Sequence, residues 1–219
     1  PQGQYLLPEF LLFQRLFERH GIAAWICDPA ELDNVGGALT LRGQPVDLVY
    51  NRLTDFYLED SAHQALKMAY EANAVVLTPH PQAHALYANK HNLVRLSDAP
   101  SLRQLGVNEA IQQTLLNIIP TTETVNSSKA EDLWSRRKQL FFKPANGYGS
   151  KATYRGDKIT RRVWEEILQG DYVAQQLVPP SARRLQTDGI DAELKVDIRA
   201  YAYAGEIQLL AARLYTGQT

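Results

Sequence analysis

Residues 141–158 read FFKPANGYGSKATYRGDK, and this stretch limits the possible folds more than any other part of the chain. An aromatic, strand-like run carrying Lys143 leads through Pro144 into Gly147 and Gly149, and a second alternating run follows around Gly156 and Asp157. Glycine lets a backbone come close to a ligand and adopt conformations closed to other residues. The surroundings are strongly basic. From Arg136 to Arg162 nine basic side chains stand against Asp157 alone, a surplus of eight positive charges in 27 residues of a chain whose net charge is -1. Such a run attracts polyanions, although most charge runs are simply solvated faces. The glycines at its centre are what argue for a bound anion.

Three phosphate-binding designs compete for this stretch. The P-loop needs four residues between its glycines, then Gly-Lys-Ser/Thr and a helix, and NGYGSKAT lacks that arrangement. The dinucleotide fingerprint is a closer match, because Gly147, Gly149 and Ala152 satisfy G-x-G-x-x-A and Asp171 lies 19 residues beyond Ala152. That design requires a helix to begin at the glycines, since the free amides of the helix N-terminus meet the pyrophosphate. KATYRGDKIT instead alternates like a strand, which predicts that the glycines lie in a hairpin.

Upstream, residues 8–20 place Phe10, Phe13, Leu16 and Phe17 at helical spacing before Gly21. GIAAWICDP reads as a buried strand that includes Cys27, and ALTLRGQPVDLVYNRL as two extended stretches about Gly43 and Pro45. A second helical stretch, DSAHQALKMAYEANA, leads to VVLTPHP, a buried strand stopped at Pro79. Strand, helix and strand in this order suggest a small open sheet with ligand-facing loops at the strand ends. Two such ends carry polar residues, Asn51 with Arg52 and Thr78 with His80. Arg52 could hold a substrate carboxylate or phosphate bidentately, or could form a surface salt bridge. His80 and His84 have no third ligand near them in sequence and read as loop histidines rather than a metal site.

The remainder is organised in the same way. ALYANKHNLVRLSD and QLGVNEAIQQTLLNIIP are helical in pattern, LWSRRKQ reads as a short helix, and KITRRVWEEILQG as an amphipathic helix ended by Gly170. DYVAQQLVPP is a strand broken by two prolines, and ELKVDIRAYAYAGEIQLLAARLYTGQT gives two alternating strands turned at Ala204 and Gly205. With 45% hydrophobic and 21% charged residues the composition is that of a soluble globular protein. The single cysteine forms no internal disulfide, and no apolar run reaches the roughly 20 residues needed to span a bilayer. A cytoplasmic location is expected. The absence of an initial Met, in what reads as the lead-in to a helix, suggests a piece of a longer protein.

At the glycine hairpin the sequence resembles the ATP-grasp superfamily, whose lysine-bearing strand and flexible hairpin lie over a nucleotide. FFKPANGYGSK looks like the strand, lysine, proline and glycine-rich loop of that family, YVAQQLVPP like its adenine-holding linker, and KVDIRAYAYAGEIQLLAARLYTGQT like its Asp-x-Arg strand, hairpin and later arginine. YANKHNL is similar to its early Asn/Asp-Lys element, and residues 9–85 resemble the α/β domain that precedes the nucleotide fold. Within the superfamily the glutathionylspermidine-synthase-like group and related uncharacterised ligases are the branch it resembles. The resemblance implies an α/β (α+β) architecture, with a small open α/β domain over 1–85 followed by an ATP-grasp module over 86–219 whose C-terminal lobe is incomplete.

What the resemblance implies for chemistry can be placed on residues. Lys90 and Lys143 would meet the α- and β-phosphates as compact cations. Gly147 and Gly149 would let the hairpin backbone approach the phosphates, Ser150 would donate from its hydroxyl, and backbone groups near Gln175 and Leu177 would bond adenine. Arg199 and Arg213 would stabilise the phosphoryl group in transfer, or else form cross-strand salt bridges with Glu193 or Glu206. Asp197, on the face of Arg199, would ligate magnesium or orient that arginine. The implied reaction is ATP- and Mg2+-dependent ligation of a small-molecule carboxylate to an amine through an acyl phosphate, with neither nucleic acid nor membrane as partner. Two alternatives stand beside it: a nucleotide- or polyanion-binding module without turnover, and an NAD-dependent oxidoreductase if a helix starts at Gly149. The family's last metal ligands would follow Arg213, which adds to the expectation of a fragment inactive by itself.

Overall fold

The computed structural model describes residues 5–187 and 190–217; the first four residues, and Gln218 and Thr219 at the end of the hairpin motif, lie outside this range. The architecture is mixed α/β, in two compact units that divide between Asn89 and Lys90.

The first unit opens with helix α1 (Leu7–Arg19), whose Phe13 and Phe17 turn toward Tyr50 with ring centroids 4.8 and 6.5 Å away. Strands β1 (Leu32–Val35) and β2 (Ala38–Leu41) form an antiparallel hairpin extended by β3 (Gln44–Pro45). Then come β4 (Leu48–Tyr50), helix α2 (Gln64–Glu71) and β5 (Val76–Thr78), with β4 and β5 parallel, as a strand–helix–strand crossover requires. Helix α3 (Pro81–Tyr87) ends the unit. Leu32, Leu39, Leu41, Leu58, Leu66, Ala69, Val75 and Leu77 make its core.

Residues 22–27 are not the strand that their apolar run predicts: they form irregular backbone with Trp25 57% exposed. The run is apolar without alternating, and Asp28 immediately caps a 3-10 turn at Pro29–Glu31, so no ladder partner fixes it. Cys27 packs against the core from a half-buried position, where burial, and then the charges of Glu31 and Asp28, push its thiol pKa up.

The second unit begins with α4 (His91–Leu96), α5 (Ala99–Gln104) and α6 (Glu109–Ile118). Asp98 and Asn108 cap the latter two, each accepting from the third residue beyond. A four-stranded sheet follows, built from β6 (Thr122–Thr124), β7 (Leu140–Pro144), β8 (Tyr154–Arg155) and β9 (Tyr172–Gln176) in the order β6-β9-β7-β8. Helices α7 (Ala130–Ser135) and α8 (Arg161–Gln169) cover one face, where Leu133, Trp164 and Ile167 pack on Leu140, Phe142 and Ala174. Because side chains alternate along a strand and Phe141 pairs with Gln175, the other face carries Phe141, Lys143, Val173 and Gln175.

A second sheet of β10 (Ser181–Thr187), β11 (Ile190–Tyr203) and β12 (Glu206–Tyr215) completes the unit as an antiparallel meander. Its last turn has Ala204 and Gly205 at φ of 51° and 83°, the left-handed pair of a tight two-residue hairpin. Strand β10 is not evident in the sequence, because Pro179 and Pro180 directly precede it and its Arg183-Arg184 pair interrupts any apolar pattern.

Candidate functional site

The glycine stretch connects β7 to β8, which are antiparallel, and the next helix starts only at Arg161. The glycines therefore lie in a hairpin connection with no helix N-terminus behind them, and the geometry that a dinucleotide fingerprint requires is absent from this stretch. Left-handed backbone at Gly149 (φ 60°), Ser150 (59°) and Ala152 (51°) curls the connection. Gly147 has a different reason to be glycine: a Cβ there would come 2.5 Å from Cγ of Pro144.

Lys143 and Lys90 converge on this connection. Lys143, at the end of β7 on the face opposite α7 and α8, donates from Nζ to Oε1 of Gln175 at 2.7 Å. Gln175 donates in turn from Nε2 to Oγ1 of Thr122 at 3.0 Å, and Thr122 donates to the carbonyl of Pro120 at 2.8 Å. Gln175 and Thr122 are buried, so this relay holds the lysine with its polar atoms satisfied. Lys90 stands immediately before α4, and its Nζ donates to the carbonyl of Gly147 at 2.6 Å. Burial, and then the charge of Lys90, lower the pKa of Lys143; burial lowers that of Lys90. Two partly desolvated ammonium groups beside an open glycine loop are an arrangement that gains free energy when an anion arrives.

The frame around the two lysines is backbone. The amide of Lys90 donates to the carbonyl of Ala145 at 2.9 Å, and the amide of Ala145 donates to the carbonyl of Asp171 at 2.9 Å. His91 follows Lys90, and its Nε2 lies 2.6 Å from Oδ1 of Asp171. Asp171, which fits the dinucleotide spacing in sequence, thus serves here as an anchor at the start of β9.

No protein-family model and no curated protein matches the chain. Among solved structures it is similar to an ATP-grasp ligase, PsnB, complexed with a minimal precursor: 16% identity over 97% of this chain and 75% of that one, TM-score 0.46. A second structure of PsnB, complexed with a phosphomimetic variant of the minimal precursor, Mg and ADP, gives 14% identity over 94% and 73% of the two chains, TM-score 0.49. Likeness at this level identifies no family for the chain.

The other candidate residues fall in three places. On β11 and β12, Asp197 and Arg213 are directly opposite, and Nε of Arg213 donates to Oδ2 of Asp197 at 3.0 Å with Nη2 on the same oxygen. The partner of Arg213 is thus Asp197, not the Glu193 or Glu206 that the sequence offers. Oδ1 of Asp197 is buried and accepts no hydrogen bond among the described residues. Arg199 shares this face, opposite Ala211, and is exposed. At the linker, the amide of Leu177 donates to the carbonyl of Gln139 at 2.8 Å, and Gln175 lies inside β9 with backbone ladders on both sides. The side chain of Gln175 is the acceptor of Lys143. Arg52, in the first unit, forms an ion pair with Glu9 at 2.8 Å and borders a cavity of about 830 Å³ walled by Phe10, Phe13, Phe17 and Trp25.

The basic run is largely spent locally. Arg136 binds Glu123 and Asp132, Arg155 binds Asp157, and Arg162 binds Glu166. The guanidinium carbons of Arg137 and Arg161 each lie 4.0 Å from the ring centroid of Trp134. His80 caps α3, accepting from the amide of Ala83 at 3.2 Å, and His84 stacks on Phe56.

Proposed function

We propose that this chain is the ATP-binding part of an ATP-dependent carboxylate–amine ligase with an ATP-grasp nucleotide module. One observation carries the reading: Lys90 and Lys143, each held by a named acceptor and each with its pKa lowered, converge beside a glycine connection that belongs to a hairpin and not to a helix. In this reading the two ammonium groups meet the α- and β-phosphates, and the amides of the Gly147–Ser150 turn close over them. Gln175 aims Lys143, and adenine lies toward Leu177.

In the implied reaction a substrate carboxylate oxygen attacks the γ-phosphorus, ADP leaves, and an amine displaces phosphate from the acyl phosphate to form an amide. Arg199 would face the phosphoryl oxygens in transfer. Mg2+ suits the oxygen donors on offer, because it is commonly held by one or two carboxylates together with phosphate oxygens and water. Among the described residues, Oδ1 of Asp197, buried and without a donor, is a protein oxygen that fits. When bound, the ion would neutralise phosphate charge.

A second reading, nucleotide binding without turnover, is favoured by the pairing of Arg213 with Asp197, which commits one of the two candidate arginines to its neighbouring strand. The two readings separate by ADP release from MgATP across a panel of amino acids and short peptides. Ligation predicts amine- and carboxylate-dependent ADP release that Arg199→Ala abolishes. ATP binding with no release under any combination supports binding alone when the whole gene product gives the same result as this chain.

A further inference from the structure

We infer that His91 and Asp171 are positioning residues, a clamp that sets where the Lys90 ammonium stands; this rests on the nucleotide reading proposed above. The clamp is a closed circuit through three chain segments. His91 Nε2 meets Oδ1 of Asp171 at 2.6 Å, the carbonyl of Asp171 accepts from the amide of Ala145, and the carbonyl of Ala145 accepts from the amide of Lys90, the residue bonded to His91. Oγ1 of Thr124 lies 3.5 Å from the other ring nitrogen. The circuit ties the start of α4, the exit of β7 and the entry of β9 to one another, and those are the points from which Lys90 reaches Gly147.

The division of labour follows from exposure. Ala145 is fully buried, so the two backbone bonds are protected from water, whereas the side chains of His91 and Asp171 are 34% and 58% exposed. An exposed pair adds little to global stability. Its effect is local: it decides whether the α4 start and the β9 entry move together, and so whether Lys90 is pre-organised for a phosphate or must be ordered on binding. Lys143, held separately by Gln175, does not depend on it.

The test uses the whole chain and the variants His91→Ala, His91→Gln and Asp171→Asn. Affinity for MgATP and for adenosine is measured by calorimetry, and exchange of the Lys90 and Ala145 amides by NMR. His91→Ala and Asp171→Asn are each expected to weaken ATP about three- to ten-fold, the effect of one hydrogen bond to a charged group at a wet site, with adenosine unchanged and both amides exchanging faster. His91→Gln, which keeps a donor where Nε2 stands, restores most of the affinity. Unchanged exchange and unchanged ATP affinity in the Ala and Asn variants overturn the clamp. Equal losses for ATP and adenosine overturn the assignment to Lys90. If the parent chain binds no ATP, the nucleotide reading fails, while the amide exchange still decides whether the circuit acts as a unit.

Discussion

The ammonium of Lys143 rests 2.7 Å from the side-chain carbonyl of Gln175, a residue two positions beyond its own cross-strand partner, Val173. The bond gives a lysine in a half-dry site one acceptor and leaves its other protons for a ligand. Lys143→Ala should weaken ATP binding by about 1.5–3 kcal/mol, the range for a charged hydrogen bond, and leave adenosine binding unchanged. Calorimetry with both ligands checks this; equal losses would make Lys143 a structural residue.

The lowered pKa of Lys143 also has a consequence for stability. Below the lowered value the ammonium is charged in both states, and the folded chain bears the cost of its burial and of its repulsion with Lys90. Between that value and the ordinary 10.5 the unfolded chain holds the extra proton, so this group makes stability rise with pH. Lys143→Met should therefore raise the unfolding midpoint at pH 7, with a gain that shrinks as the pH approaches 10.5. Thermal melts at pH 7, 8.5 and 10 read this directly, and a gain that grows with pH would contradict it.

Asp55 behaves with the opposite sign in the first unit. Burial pushes its carboxyl up, but hydrogen bonds from the Asp60 amide, from His63 and from the Glu59 amide outweigh it and bring the pKa to about 2. The stability it contributes is present above the ordinary carboxylate range and is lost as the pH falls toward 2. Asp55→Asn should cost about 1.5–3 kcal/mol at pH 7, and the difference from the parent should shrink through the acid limb of a denaturation series.

Two glycines separate backbone strain from close packing. A Cβ on Gly156 would lie 1.9 Å from the carbonyl oxygen of Arg137, so Gly156→Ala should destabilise the second unit by about 1–3 kcal/mol or more. Gly149, with φ of 60° and open space around it, should lose only about 1 kcal/mol on Gly149→Ala. Urea titrations of the two variants give the order, and similar losses would mean that the connection is packed more tightly than its geometry implies.

How far the sequence carried the fold depends on locality. Helices α1 and α8, the β4–α2–β5 crossover and the β11–β12 turn have short-range signatures, and so does the hairpin nature of the glycine stretch, since KATYRGDKIT alternates where a helix would not. Residues 22–27 misled because an apolar run does not specify a ladder partner. The Gln175–Thr122 relay and the His91–Asp171 contact were invisible for a related reason: each joins residues 53 and 80 positions apart, respectively, and depends on the β6-β9-β7 register, which no local pattern encodes.

The most direct test of the proposed nucleotide site is a calorimetric titration of the whole chain with MgATP and, separately, with NAD. The account predicts that MgATP binds, that NAD binds more weakly, and that Lys90→Ala and Lys143→Ala each reduce MgATP affinity. NAD binding tighter than MgATP, or MgATP binding that survives loss of both lysines, would contradict it.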